Sequence, residues 1–284
     1  MGYIGHVSGF FSGGAAIRAL SSSLTVRQAI THPDVVDGRI DRSLVQLGAV
    51  EVEGDVVFPL VAGGETSFVT NALQQAWKRD DSGELQNSGA VTLMYAYQTA
   101  RQFNGCKINT FEIRATAGDR CEGTFGFMGT TAGDGDSQRI LVGTSPVKVL
   151  MWDAVSISSG IVRSCVVREF TLSIANNLSR NYTFCNSNGE GLFASNISTG
   201  KRFVNGTLGF QGWADTDGLA FQNATQSGSL TTDPALAINV GDLHTTANNV
   251  VYELQDIAIN PALITSTVNW YAHGSTGADD ALSV

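Results

Sequence analysis

Charged side chains are scarce in this sequence. Asp, Glu, Lys and Arg make up 15% of the 284 residues, against a usual share of about 25%. Basic residues never gather: Lys78-Arg79 and Lys201-Arg202 are isolated pairs, and the net charge is −9. A protein that grips nucleic acid presents a basic patch, so that class is excluded. Cysteine is equally sparse. The four residues, Cys106, Cys121, Cys165 and Cys185, form no C-x-x-C pair and no zinc spacing, and secreted disulfide scaffolds are far denser. Buried free thiols in a reducing cytoplasm are expected. No run approaches the roughly 18 apolar residues of a membrane span, and Met1 to Ala16 lacks the charged-then-apolar order of a signal peptide. Five prolines and no low-complexity tract leave little room for linkers.

Hydrophobic residues at 43% and 32 glycines, with Thr, Ser and Asn as the polar surface, suit short strands joined by turns. Depleted charge also suits a protein that covers much of its outside with copies of itself. The clearest strand runs from Val50 to Leu60. Val50, Val52, Val56, Phe58 and Leu60 fall on one face, and Glu51, Glu53 and Asp55 on the other. A helix is expected over Thr66–Arg79, where Val69, Leu73 and Trp77 recur at helical spacing. A short helix is expected in Asp217–Gln226, and Ser23 to Ile30 is open between helical turns and other structure. Further strands are expected at Val91–Thr99, Lys107–Ala117, Cys121–Gly129, Val166–Ala175, Arg180–Cys185, Phe203–Gln211, Ala235–Val240, Val250–Ile259 and Ile264–Ala272. Turns are expected at Asn104-Gly105 and Gly118-Asp119. Five Asn-x-Ser/Thr triplets, beginning at Asn177, Asn181, Asn196, Asn205 and Asn223, read as turn chemistry.

The second half echoes the first. Glu53-Gly54-Asp55-Val56-Val57-Phe58 aligns with Asn205-Gly206-Thr207-Leu208-Gly209-Phe210, Phe111-Glu112-Ile113 with Tyr252-Glu253-Leu254, and the stretch from Phe127 with that from Tyr271. Shared order implies duplication. Two domains of one fold are therefore expected, residues 1–135 and 136–284.

Chemistry is hard to find. Four histidines, His6, His32, His244 and His273, stand near no nucleophile motif. The glycine-rich runs at 123–129 and 206–212 lack the Lys-Ser/Thr of a phosphate loop. Acidic pairs at Asp134/Asp136 and Asp215/Asp217 lack the remaining ligands of a calcium loop. No catalytic residue, cofactor or metal is expected, and no enzyme.

The strand unit Val50–Leu60 followed by the Thr66–Arg79 helix, the strand Arg168–Ile174 running into Asn176-Asn177, and the echo at Phe203–Gly212 together resemble the major tail tube proteins of tailed bacteriophages. The resemblance implies a mainly β fold, with two tandem β-sandwich or split-barrel domains, each with a short flanking helix. It implies a structural virion protein whose rings stack into the conduit for DNA ejection. Most such proteins carry one domain per chain in hexameric rings, so two domains imply a homotrimer with pseudo-sixfold symmetry. The implied partners are the chain itself, terminator and baseplate or tip proteins, and tape measure protein and DNA passing through the lumen; no membrane is involved. Assembly is expected in the bacterial host cytoplasm, and the virion tail is the final location. Glu51, Glu53 and Asp55 are expected to line the channel, where they would repel phosphate. The other reading is a phage decoration or receptor-binding fibre protein, which shares this composition but would not polymerise.

Overall fold

The computed structural model describes residues 6–10, 19–31, 46–63, 85, 89–96, 99–134, 148–162, 167–183, 192–211, 231–260, 263–274 and 281–283. These are almost entirely β. In the first half the strands are β1 (His6–Phe10), β2 (Ser21–Ser22), β3 (Thr25–Thr31), β4 (Gln46–Pro59), β5 (Gly89–Ala96), β6 (Thr99–Thr116), β7 (Glu122–Gly129) and β8 (Thr131–Asp134). In the second half they are β9 (Val155–Ser159), β10 (Val167–Ala175), β11 (Ser179–Asn181), β12 (Asn196–Ser198), β13 (Phe203–Gln211), β14 (Thr231–Val240), β15 (Leu243–Asn260), β16 (Leu263–Ala272) and β17 (Leu282–Ser283). A single 3-10 turn, Trp152–Ala154, joins the halves among the described residues. Both expected helices, Thr66–Arg79 and Asp217–Gln226, lie outside the described residues, as does the expected boundary at residue 135.

Fifteen strands form one antiparallel sheet, ordered β2-β4-β7-β6-β10-β13-β16-β15-β14-β9; β3 also pairs with β4, β5 with β6, β1 with β5, β8 with β6 and β17 with β15. Strands β11 and β12 pair separately. The path is open, so pairing closes no barrel among the described residues. Within each half the spatial order is the same. The first runs β3-β4-β7-β6-β5-β1 and the second β10-β13-β16-β15-β14-β9, with β8 on β6 and β17 on β15. Strands β6 and β15 each contain 18 residues. Gly54 and Gly206 occupy matching ladder positions, opposite Phe127 and Trp270. By the same ladders Phe111 corresponds to Leu254 and Phe127 to Trp270, so two of the sequence matches are displaced by a few residues.

The halves meet along β6 and β10. Thr110 to Thr116 pairs with Glu169 to Ala175 in an unbroken antiparallel register. A single row of side chains therefore crosses the whole sheet: Val56, Phe125, Phe111, Ile174, Val204, Ala272 and Val250. Nearly all of these are buried, and residues of both halves belong to one contiguous core. Phe125 anchors the first half, stacked on Phe58 at 4.8 Å between centroids and tilted against Phe111 at 4.9 Å. The opposite face is polar. A parallel row reads Pro59, Glu122, Arg114, Thr171, Thr207, Asn269 and Glu253, the alternation expected when one sheet face meets the core and the other does not.

Two local expectations are corrected. Ser23 to Ile30 is not helical; β3 takes up most of it, because Thr25, Val26 and Ile30 favour a pleated surface and β4 offers an edge. Asn104-Gly105 is not a chain reversal. Gly105 has φ +59° inside β6, where the pairing shifts from Gly89↔Cys106 to Val91↔Phe103. The extra residue is absorbed as a bulge, so β6 continues for another eleven residues instead of ending. The turn at Gly118-Asp119 forms as expected, with Gly118 at φ +97°. Of the Asn triplets, Asn177 sits in the left-handed region at φ 48°. Asn181, Asn196 and Asn205 are strand residues instead, and Asn223 is outside the described residues.

Gly206 sits where the sheet is tightest. A Cβ there would overlap the Thr171 carbonyl oxygen across the ladder and the Trp270 indole ring. Gly206→Ala is expected to destabilise by about 1–3 kcal/mol, the usual range for overpacking. Gly133→Ala, where nothing lies within 4 Å, should stay within about 0.5 kcal/mol. Urea denaturation of the two variants checks the contrast.

Candidate assembly surfaces

Alternation along β4 buries Val50, Val52 and Val56 and turns Glu51, Glu53 and Asp55 to the other face. The three carboxylates do share a face, yet they are not three free charges. Arg180, on β11 of the second half, reaches across with its side chain only 10% exposed. Its Nη2 donates to the Val52 carbonyl at 2.9 Å and to Glu53 at 3.1 Å, and its Nη1 stands 3.8 Å from Glu51. Arg27, opposite Glu51 on β3, approaches Glu53 at 3.9 Å but is 70% exposed. Asp55 is exposed, and its backbone N–H is bonded to the Ser23 hydroxyl. Sequence reasoning missed Arg180 because nothing local marks an arginine whose partners lie about 130 residues earlier.

Arg180 belongs to an arm between β10 and β13, two strands that pair directly. The arm leaves the second half and binds the first. Asn176 donates its side-chain amide to the Ile108 carbonyl at 2.9 Å, and the Leu178 N–H bonds the Asn109 side chain at 2.9 Å. Lys107, buried, donates to the Ile197 carbonyl at 2.8 Å, and the Val50 N–H donates to the Leu192 carbonyl at 2.7 Å. Leu85, Leu178 and Ile197 form a small second core, with Met128 packed against it. The arm thus fastens the halves mostly through side chains, with a backbone bond at Val50, where β6 and β10 fasten them by a backbone ladder.

Further along the polar face, Glu122 receives two hydrogen bonds from Arg114, the shorter at 2.6 Å, and one from Arg120 at 2.9 Å. The Arg114 bond, aided by Arg120 and opposed by partial burial, holds the Glu122 carboxyl below its ordinary value of 4.5. Burial acts the other way on the two described thiols, pushing Cys106 up to about 12 and Cys121 up to about 11. Both are therefore unreactive core groups at neutral pH. His244 hydrogen-bonds Asn239 at 3.0 Å. Cys165 and Cys185 are outside the described residues.

Among the described residues, exposed apolar side chains include two groups set beside apolar neighbours. Ile30 and Leu47 are cross-strand partners on β3 and β4, 58% and 51% exposed. Trp152, 50% exposed, stands at a cavity of about 300 Å³ lined also by Ala115, Val155, Ile157, Val167 and Phe170. Edges are open as well. Among the described residues, β2 and β3 pair only with β4, and the β14 ladder on β15 stops at Thr231↔Tyr252. Long uncovered edges and exposed apolar pairs are hazards for a solitary molecule and ordinary features of a subunit.

A family described as phage tail tube protein matches residues 7–272, nearly the whole chain. The chain belongs to the phage tail tube protein family. It is a structural tail tube protein, a component of the virion tail, and its family is one whose copies build a tube. No curated protein matches the chain. In a tail tube subunit, open edges and exposed apolar pairs are surfaces available to neighbouring copies.

Three charged groups give measurable expectations. Arg180→Ala removes a mostly buried, charge-assisted hydrogen bond and should cost roughly 1.5–3 kcal/mol, with faster amide exchange in residues 192–200. Arg27→Ala should cost no more than about 0.5 kcal/mol, as for other exposed pairs. Because the Glu122 pKa is depressed by folding, its contribution is complete above the unfolded value and fades as pH falls through the lower, folded one. The stability difference between the parent and Glu122→Gln should therefore be constant above about pH 5 and shrink steadily below about pH 4.5. Thermal melts across that range measure it.

Proposed function

We propose that this chain polymerises as stacked rings, three copies to a ring, into the tube through which phage DNA is ejected. The observation that carries this reading is the repeated strand order on either side of the β6–β10 pairing. It supports a duplicated tail tube unit, residues 1–135 and 136–284, so three chains supply six units and a pseudo-sixfold ring. Closed rings stacking head to tail extend along one axis. The tube has a mechanical role and catalyses no reaction. Terminator and tip proteins meet its two ends, tape measure protein and DNA occupy its lumen, and assembly takes place in the host cytoplasm.

The acidic face of β4 is proposed as lumen lining, in a form narrowed by the arginines beside it. Glu51 and Glu53 are engaged by Arg180, so Asp55 is the one of the three carboxylates with no ion pair among the described residues. Electron microscopy and light scattering of the purified protein test the ring. Rings of three chains and tubes made from them are expected; monomers at all concentrations and salts would overturn the reading, and six chains per ring would remove the pseudo-symmetry. For the lumen, Asp55→Lys leaves the Arg180 contacts intact and should give tubes of normal shape that slow DNA ejection. Ejection at the parent rate would place Asp55 elsewhere.

A further inference from the structure

Strand β6 has two partners on one edge. Its first part, Thr99 to Cys106, pairs with β5, and its last part, Thr110 to Thr116, pairs with β10 of the second half. Strand β15, its counterpart, has only the first of these. Leu243 to Tyr252 pairs with β14, whereas Glu253 to Asn260 has no partner on that edge among the described residues. The counterpart of β10 is also without its outer partner. Ser21, Ser22, Thr25 and Val26 stand opposite Val57, Val56, Glu53 and Val52 as Glu169, Phe170, Ser173 and Ile174 stand opposite Gly209, Leu208, Asn205 and Val204. So β2 and β3 together correspond to β10. Their far edge is open among the described residues. The Leu24 N–H is met there at 3.2 Å by the hydroxyl of Ser22, a local bond that a neighbouring strand could replace.

We infer that the open end of β15 pairs with β2–β3 of a second copy, repeating between chains the ladder that β6 and β10 form within one. This rests on the ring reading and gives its interface. The internal register transfers directly. Arg114↔Thr171, Ile113↔Leu172 and Glu112↔Ser173 become Ala258↔Ser23, Ile257↔Leu24 and Asp256↔Thr25 of the neighbour. The residue types agree with this alignment. An apolar pair, Ile257 and Leu24, falls on the row that holds Ile113 and Leu172, and three of the four flanking residues, Ser23, Thr25 and Asp256, are polar, with Ala258 in the place of Arg114. Three copies would then alternate covalently linked and intermolecular seams around a closed sheet, leaving no free edge at these strands.

Cysteine cross-linking tests the register. Directly opposed strand residues bring their Cβ atoms to about 4.5–5.5 Å, within reach of a disulfide or a short bis-maleimide. Ser23→Cys with Ala258→Cys should give a reducible ladder of two and three chains, while either single variant and the off-register pair Thr25→Cys with Ala258→Cys should link at least tenfold less. Circular dichroism and electron microscopy of the same samples report folding and ring formation. Rings without cross-links, equal linking in and out of register, or a link confined within one chain would each overturn the pairing while leaving the ring reading standing. Absence of rings from the unmutated protein would overturn both.

Discussion

The backbone ladder between β6 and β10 is the constraint on which the rest of this molecule depends. Seven consecutive residues of each strand face each other there, and the amides and carbonyls that alternate residues turn toward the seam find their partners in the opposite half. A net gain of about 1 kcal/mol per bond is modest, but leaving such groups buried and unpaired would cost about 1–3 kcal/mol each. Breaking the seam would also divide the core, since Phe111 and Ile113 lie beside Ile174 and Leu172 in the same apolar rows. The halves are therefore fixed to each other as firmly as strands within either half.

The other connections between halves act on top of that seam. The arm from Asn176 to Thr199 covers the flank of β4 and β6, and Arg180 spreads its guanidinium over one carbonyl and two carboxylates. Such a clasp adds to the seam through a mostly buried guanidinium bonded to a backbone carbonyl, while its carboxylate partners are partly exposed and screened. It also changes the meaning of the acidic strand. Three carboxylates in a row repel one another, and Arg180 from a distant segment, with Arg27 on the paired strand, offsets part of that repulsion. What remains toward the outside is Asp55 without an ion pair among the described residues, beside a sheet face that mixes hydroxyls and amides with paired charges such as Arg114 and Glu122.

How much of this was legible in the sequence follows from how local each signal is. Period-two alternation located β4 and placed Glu51, Glu53 and Asp55 on one face, and it gave the bounds of β13. The family was also readable, through several short strand units in order. The length of β6 was not, because Asn-Gly is the common hairpin signal and only the neighbouring strand determines that Gly105 bulges instead of turning. Strand β3 was obscured by the Pro33 that follows it, which stops a helix and a strand alike. Arg180 and the β6–β10 pairing left no local trace at all. Each joins residues more than 50 positions apart, and pairing of that kind is chosen by which edges are free once the local strands exist. The likeness in strand order between the halves has a sequence counterpart in Gly54 and Gly206, whose missing Cβ atoms each neighbour needs. It was blurred where bulges shift the ladders by a residue or more.

Native-state hydrogen exchange in rising denaturant addresses the central claim most directly, because it reads the seam amide by amide. If the two halves are one sheet, amides at 110–116 and 169–175 should exchange only through the same global opening as those of β7 and β13, with a common denaturant dependence. Seam amides that open at lower denaturant than the strands on either side, followed by two separate unfolding transitions, would contradict it.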